Sequence, residues 1–333
     1  MSAQPTPLPW HEPALAELAN RFDANRLAHA LLLAGRRLTG KTTFARLLAA
    51  RVLCREASTG GRNAACGTCS ECQLIAAGTH PDLLEITPVD SKQIKVEQIR
   101  SLLGWMRGTP QRGGYRVVVL WPAHAMNGIS ANALLKGLEE PGRDSLLILV
   151  TDQPGALLPT VRSRCQRLNL PLASQQEGLT WLGHAVPAGV LPVGTDQATL
   201  MQIADGNPVE VAVRSGDGFY GRRDAVFGLL REGAAGAPPL AVAAQLARMD
   251  GLEVIELWSG LLLDVAKVAA GAVSHCRNVD QRELLEVLGD RADPGALADF
   301  SDELIRAQQS LLGPSNPNLQ LRFEHLCRAW ATL

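Results

Sequence analysis

The 333-residue chain is poor in aromatic residues (4%) and has no surplus of either charge, with a formal net charge of −1. The first scarcity argues against a surface built to stack bases. The second argues against a dedicated electrostatic nucleic-acid binder, although a local basic patch stays compatible with it. No apolar run reaches the ~20 residues that span a bilayer. The opening stretch MSAQPTPLPWHEP lacks a basic segment followed by an apolar one, so no secretory signal is expected and the expected location is cytoplasmic. Disorder is excluded by 46% hydrophobic against 20% charged residues. The length allows two or three domains.

A more specific absence lies at the end of one apolar run. Val117–Leu120 reads as a buried parallel strand. In an ATPase such a strand usually ends in carboxylates that hold magnesium and polarise water. Here it ends in Trp121-Pro122, which can neither ligate a hard cation nor act as a general base. Hydrolysis of ATP by this chain alone is therefore not expected.

Half of a nucleotide site is nevertheless present. Gly35, Gly40, Lys41 and Thr42 have the spacing of a phosphate-binding loop, between the apolar strand at 30–33 and a helix with Phe44, Leu47, Leu48 and Val52 on one face. In a working loop, backbone N–H groups cradle phosphates, the lysine neutralises charge and the hydroxyl helps hold magnesium. Leu38 stands where many such loops have glycine. A positive φ there would cost about 1–2 kcal/mol. Two readings stay open: passive nucleotide binding, or a loop kept for the fold.

Four of the seven cysteines cluster, as Cys54, Cys66, Cys69 and Cys72. The C-x11-C-x2-C-x2-C spacing suits one tetrahedral zinc better than disulfides. An iron–sulfur cluster and reduced thiols are the alternatives. Such a site would be closed and structural, and would supply the folding energy of a 54–72 segment with few apolar residues.

Further along, a strand is expected at 83–87. Helices are expected at Ile99, Leu102, Leu103 and Met106, and at 131–138 with Ser130 as cap and Pro141 as stop. Another buried strand is expected at 145–151. Strand–helix alternation implies an α/β parallel sheet ending near residue 170. From 174 no buried strand is legible, and breaks at Pro187, Pro192, Gly206-Asn207-Pro208 and Gly216-Asp217-Gly218 separate helical patterns. The expected domains are 1–173 (α/β, with the cysteine module at 54–72), 174–215 (helical) and 220–333 (helical). The segment 232–241 reads as a loop. In the sequence VRSRCQR (161–167), Arg162, Arg164 and Arg167 read on charge alone as a solvated basic turn, with a guanidinium offered to a neighbour's phosphate as the rival reading.

AGTHPD (77–82), ANALLKGLEEP (131–141), TVRSRCQRL (160–168) and the cysteine knuckle occur together and in this order. The chain thereby resembles the delta-prime family of bacterial DNA polymerase III clamp-loader subunits, within the AAA+ class. The resemblance is strong over the first 170 residues. Beyond them it rests on helical character and on NPNLQLRFEHL (316–326).

The resemblance implies an AAA+ P-loop domain with a zinc module, a helical lid and an all-α collar. Arg164, within Ser163-Arg164-Cys165, would be an arginine finger acting in trans on ATP in a neighbouring subunit. It implies zinc on the four cysteines and Thr151 at the sensor-1 position. Val209 falls where active loaders carry a sensor-2 arginine. The helix bearing Lys136, Glu139 and Glu140 would be interfacial, with Ser163 and Cys165 beside it, although surface charge explains the first three equally well. His80-Pro81-Asp82 reads as a structural turn. The implied partners are delta and gamma/tau subunits in a five-membered ring, the sliding clamp and primed DNA, within a nucleotidyltransferase holoenzyme. The rivals are an active gamma/tau-type ATPase, which Trp121-Pro122 and Val209 oppose, and a free-standing zinc-dependent nucleic-acid binder.

Overall fold

A computed structural model describes residues 6–59, 62–187, 190–191, 195–313 and 317–333. The chain forms two compact units, residues 1–173 and 174–333.

The first unit is built on five parallel strands: β1 (Ala30–Ala34), β2 (Leu83–Ile86), β3 (Arg116–Leu120), β4 (Ser145–Thr151) and β5 (Gln166–Leu168). Their order is β2-β3-β4-β1-β5. β1, β3 and β4 are buried along their whole length, which is why they read as continuous apolar runs. Alternate side chains serve opposite faces. Leu31, Leu33, Val117, Val119, Ile148 and Val150 meet α1 (Glu12–Asp23) and α2 (Lys41–Leu53). After α2, the short helices α3 (Arg55–Thr59) and α4 (Ser70–Ala76) carry the cysteine segment. Leu32, Val118, Leu120, Leu147 and Leu149 meet α5 (Val96–Met106) and α6 (Gly128–Glu139). A one-turn helix, α7 (Pro159–Arg162), leads into β5.

Two local expectations change and one lies outside the described residues. α6 is capped by Asn127, whose side chain accepts the Ser130 N–H, and not by Ser130. The Ser130 hydroxyl is buried and donates to the Ile94 carbonyl at 2.8 Å. The helix therefore begins two residues before the expected cap, because Asn is as good a cap as Ser. The expected loop at 232–241 is mostly helical, with only residues 235–238 between two helices. Its Pro238-Pro239 pair opens the second helix, where a missing N–H costs nothing. Pro192, expected as a break, lies outside the described residues.

The second unit is helical throughout its described residues. Its helices are α8 (Gln175–Ala185), α9 (Gln197–Ile203), α10 (Pro208–Gly216), α11 (Phe219–Ala234), α12 (Pro239–Leu246), α13 (Gly251–Ala269), α14 (Arg282–Gly289), α15 (Pro294–Leu312) and α16 (Leu319–Trp330). Capping side chains open many of them: Ser174, Asp196, Asn207, Asp250, Asp293 and Asn318 each accept a first-turn N–H. Two apolar cores form. One joins Leu182, Leu200, Val211, Phe219 and Tyr220. The other runs from Val226 to Trp330 around Trp258, Phe300 and Trp330. Trp258 and Trp330 meet edge to face at 5.6 Å, and the Trp330 indole donates to the Leu230 carbonyl at 2.9 Å. No described helix is long and apolar enough to cross a membrane.

Candidate functional site

Three groups of residues in the first unit carry chemistry. The cysteine knuckle is assembled where α2 ends. Cys54 is the C-cap residue of α2, and Cys69 is the N-cap residue of α4. The four sulfur atoms lie within 4.8 Å of one another. Cys54–Cys69 and Cys66–Cys72 are each 3.9 Å apart, close to the roughly 3.8 Å edge of a tetrahedron with Zn–S bonds of about 2.3 Å. The Cys66 sulfur accepts the N–H groups of Thr68 (3.4 Å) and Cys69 (3.3 Å). These donors lower its pKa to about 6. Burial instead pushes the Cys72 thiol up to about 12. Four convergent sulfurs, with no fifth ligand grouped with them among the described residues, fit a closed structural metal site.

Glu71, which sequence reasoning did not single out, anchors this knuckle to the sheet. It is almost wholly buried, and both its oxygens accept from Arg112, at 2.9 and 3.1 Å. His80 Nδ1 accepts the Asp82 N–H at 3.1 Å, which leaves its Nε2 proton to Glu71, also at 3.1 Å. Asp82 accepts the N–H groups of Gln111 and Arg112, both at 2.8 Å. His80-Pro81-Asp82 is thus a structural turn before β2. It ties the cysteine knuckle, the sheet and the 108–115 loop together.

The phosphate loop leaves β1 and enters α2 in the expected context. Gly40 has φ +81 and Leu38 has φ +58, so the non-glycine residue does adopt the left-handed region. Lys41 is 4% exposed. Its ammonium lies 2.7 Å from Asp152 Oδ1 and 3.3 Å from Thr39 Oγ1, and it also donates to the Arg36 carbonyl. Thr42 follows, partly buried, in the first turn of α2. Thr151, the last residue of β4, accepts the Gln153 N–H at 3.1 Å and pairs through its hydroxyl with His124 Nδ1 at 3.0 Å. Burial lowers the His124 pKa, which suits an imidazole that accepts this hydroxyl. Trp121 and Pro122 stand at the end of β3, and the Trp121 ring lies under the Arg46 guanidinium at 5.7 Å. A nucleotide with magnesium therefore fits poorly here. The lysine and the sensor-like threonine already have partners, and the strand end offers no carboxylate.

Arg164 sits elsewhere. Its guanidinium pairs with Glu139 at 2.7 Å, donates to the Thr160 carbonyl at 3.2 Å and keeps 38% of its side chain exposed. Strand register fixes where it lies. β5 runs parallel to β1 with Gln166 opposite Leu31. Arg164 thus precedes the N-terminal end of the pair, whereas the phosphate loop leaves the C-terminal end of β1. Strand rise alone separates the two by at least roughly 10 Å. Arg162, Ser163, Lys136, Glu139 and Glu140 are exposed around it. Cys165, expected beside them at an interface, is instead 9% exposed and packed into the core under the sheet with Val161 and Leu157. β5 begins directly after it, so its side chain turns inward while those of its two neighbours stay out.

Residues 10–174 match the family model described as DNA polymerase III, delta subunit, and residues 218–332 match that of its C-terminal part. DNA polymerase III subunit delta′ of Pseudomonas aeruginosa is 34% identical, over 98% of this chain and 97% of the relative. The same subunit of Escherichia coli K12 is 28% identical over 95% of both chains. The tau subunit of Escherichia coli K12 is 39% identical, but over 48% of this chain and 24% of its own. Among solved structures, a gamma subunit-related protein of Thermotoga maritima aligns over 97% of this chain and 99% of its own, with a TM-score of 0.53 at 13% identity. That similarity concerns the fold alone: a parallel sheet domain followed by a helical half. The near-complete coverage at 34% identity assigns the family: the chain belongs to the DNA polymerase III delta′ subunits.

Proposed function

We propose that this chain is a clamp-loader subunit that does not hydrolyse ATP but completes the ATP site of a neighbouring ATPase subunit with Arg164. Its partners would be delta and gamma/tau subunits in a five-membered ring that opens the sliding clamp and loads it on primed DNA. The carrying observation is the placement of Arg164. It is exposed at the sheet end opposite its own phosphate loop, so it serves a site on another chain or none. A guanidinium makes paired planar hydrogen bonds to phosphate oxygens, and it matters most as charge builds on the transferred γ-phosphoryl group. Its partner Glu139 is half-exposed. An exposed pair of this kind is worth roughly 0–1 kcal/mol, so a phosphate can displace the carboxylate at little cost.

The rival reading, an active gamma/tau-type ATPase, draws on the tau similarity and is opposed by Trp121-Pro122 at the strand end. The cysteine knuckle would hold structural zinc. Residues 174–215 would serve as lid and 220–333 as the collar that assembles the ring.

The test is a loader reconstituted with Arg164→Ala. Subunits should associate normally, while clamp- and DNA-stimulated ATPase falls by about 10³-fold or more and clamp loading falls with it. Arg162→Ala should do much less. Clamp loading at the wild-type rate by Arg164→Ala would reduce the protein to a scaffold.

A further inference from the structure

We infer that Asp152 is a built-in counter-ion of the phosphate loop, holding Lys41 where a phosphate oxygen would otherwise sit and so keeping polyphosphates and nucleoside triphosphates off this chain. The donors of Lys41 are all engaged. An ammonium has three N–H donors, and three acceptors surround this one: Asp152 Oδ1, Thr39 Oγ1 and the Arg36 carbonyl. With the side chain 4% exposed, no donor is left for an incoming phosphate.

Sheet register puts Asp152 there. Ala34 pairs with Thr151 across β1 and β4, so the residue after β4 emerges beside the loop after β1. A carboxylate in that position opposes a triphosphate twice. It takes up the lysine, and it repels the anion that would replace it.

The loop is also closed from another side. A Cβ added at Gly40 would lie 2.5 Å from Leu8 Cδ1 and 3.3 Å from His11 Cε1. The Leu8–His11 segment is therefore seated directly on the turn into α2. His11 is 2% exposed and meets the Phe44 ring edge to face at 5.6 Å. Its Nε2 has no hydrogen-bond partner among the described residues, and its ring packs against the turn at Gly40 and against Phe44 by shape. No carboxylate at Trp121-Pro122 recruits magnesium in compensation. Binding would have to come from the loop's backbone N–H groups and from Lys41, and Lys41 is already neutralised.

This deepens the reading of a subunit that does not hydrolyse, but it concerns occupancy and not Arg164. Its test uses the isolated full-length chain, without a loader ATPase, so the two ideas fail separately. Equilibrium dialysis with magnesium tripolyphosphate and with MgATP would compare the wild type, Asp152→Asn, Asp152→Ser and the double variant Lys41→Ala/Asp152→Asn, each checked for folding by circular dichroism. Asp152→Asn should bind tripolyphosphate at least about tenfold more tightly than the wild type, and the double variant should lose that gain. Wild-type binding as tight as that of Asp152→Asn would overturn the inference. So would a folded Asp152→Asn and Asp152→Ser that gain nothing.

Discussion

His11 is a titratable group in a place that disfavours its charged form. Burial lowers its pKa from 6.5 to about 4, the Pro171 backbone opposes that shift, and Lys41 adds a smaller push in the same direction as burial. The folded chain thus binds the proton less readily than the unfolded chain, so between about pH 6.5 and 4 the unfolded state carries more protons. Stability must rise with pH across that window and fall as it is acidified through it. The full difference is on the order of 3 kcal/mol by pH 4. His11→Phe should flatten this part of the profile. Urea unfolding midpoints measured at several pH values check it, and an unchanged slope in the variant would refute the assignment. Sequence alone gave no hint of this role. The loop residues Gly40, Lys41 and Thr42 announce themselves by covalent spacing, and Leu38 does so as the odd member of a glycine position. His11, Asp152 and Glu71 reach their sites through strand register and packing, which no local pattern in their own segments encodes.

Among the elements, the strands were the most legible because β1, β3 and β4 are buried on both faces and are apolar except for Arg116, Ser145 and Thr151 at their ends. β5 was not: its three residues alternate Gln166, Arg167 and Leu168 at the sheet edge, and its pairing to β1 is tertiary. The cysteine knuckle was legible as a ligand set, while its tether was not. The tether matters for what metal removal does. Few apolar residues hold the 54–72 segment: among its described residues, Cys54, Ala57 and Cys72 form the buried apolar cluster. Metal should therefore supply most of its order. Elemental analysis should find roughly one zinc per chain. Chelation, or Cys69→Ser, should abolish amide-exchange protection from 54 to 76 and leave β1, β3 and β4 protected. Exchange that spreads through the sheet would mean the knuckle is part of the domain core. Iron with a visible charge-transfer band would replace zinc by a cluster.

At the scale of the molecule, the two compact units have separate cores, and this predicts separable behaviour. The second unit's larger core closes on Trp330, which is 2% exposed, touches Trp258 and Phe300 at 5.6 and 5.7 Å, and holds the Leu230 carbonyl. Trp330→Ala deletes a wholly buried indole and strands that carbonyl, so it should cost about 3–5 kcal/mol. The loss should stay in one unit. Calorimetry of the variant is expected to show one transition moved to lower temperature and one unmoved, with the cysteine knuckle still protected from exchange. If residues 220–333 are the collar, the same variant should fail to join the other subunits under conditions where Arg164→Ala still does. The two substitutions would then divide the proposed function, with assembly resting on the helical half and stimulation of a neighbour's ATPase on the α/β half. Transitions that fall together would mean that the two units unfold as one, whereas normal assembly with the second unit unfolded would place the ring contacts in residues 1–173 instead.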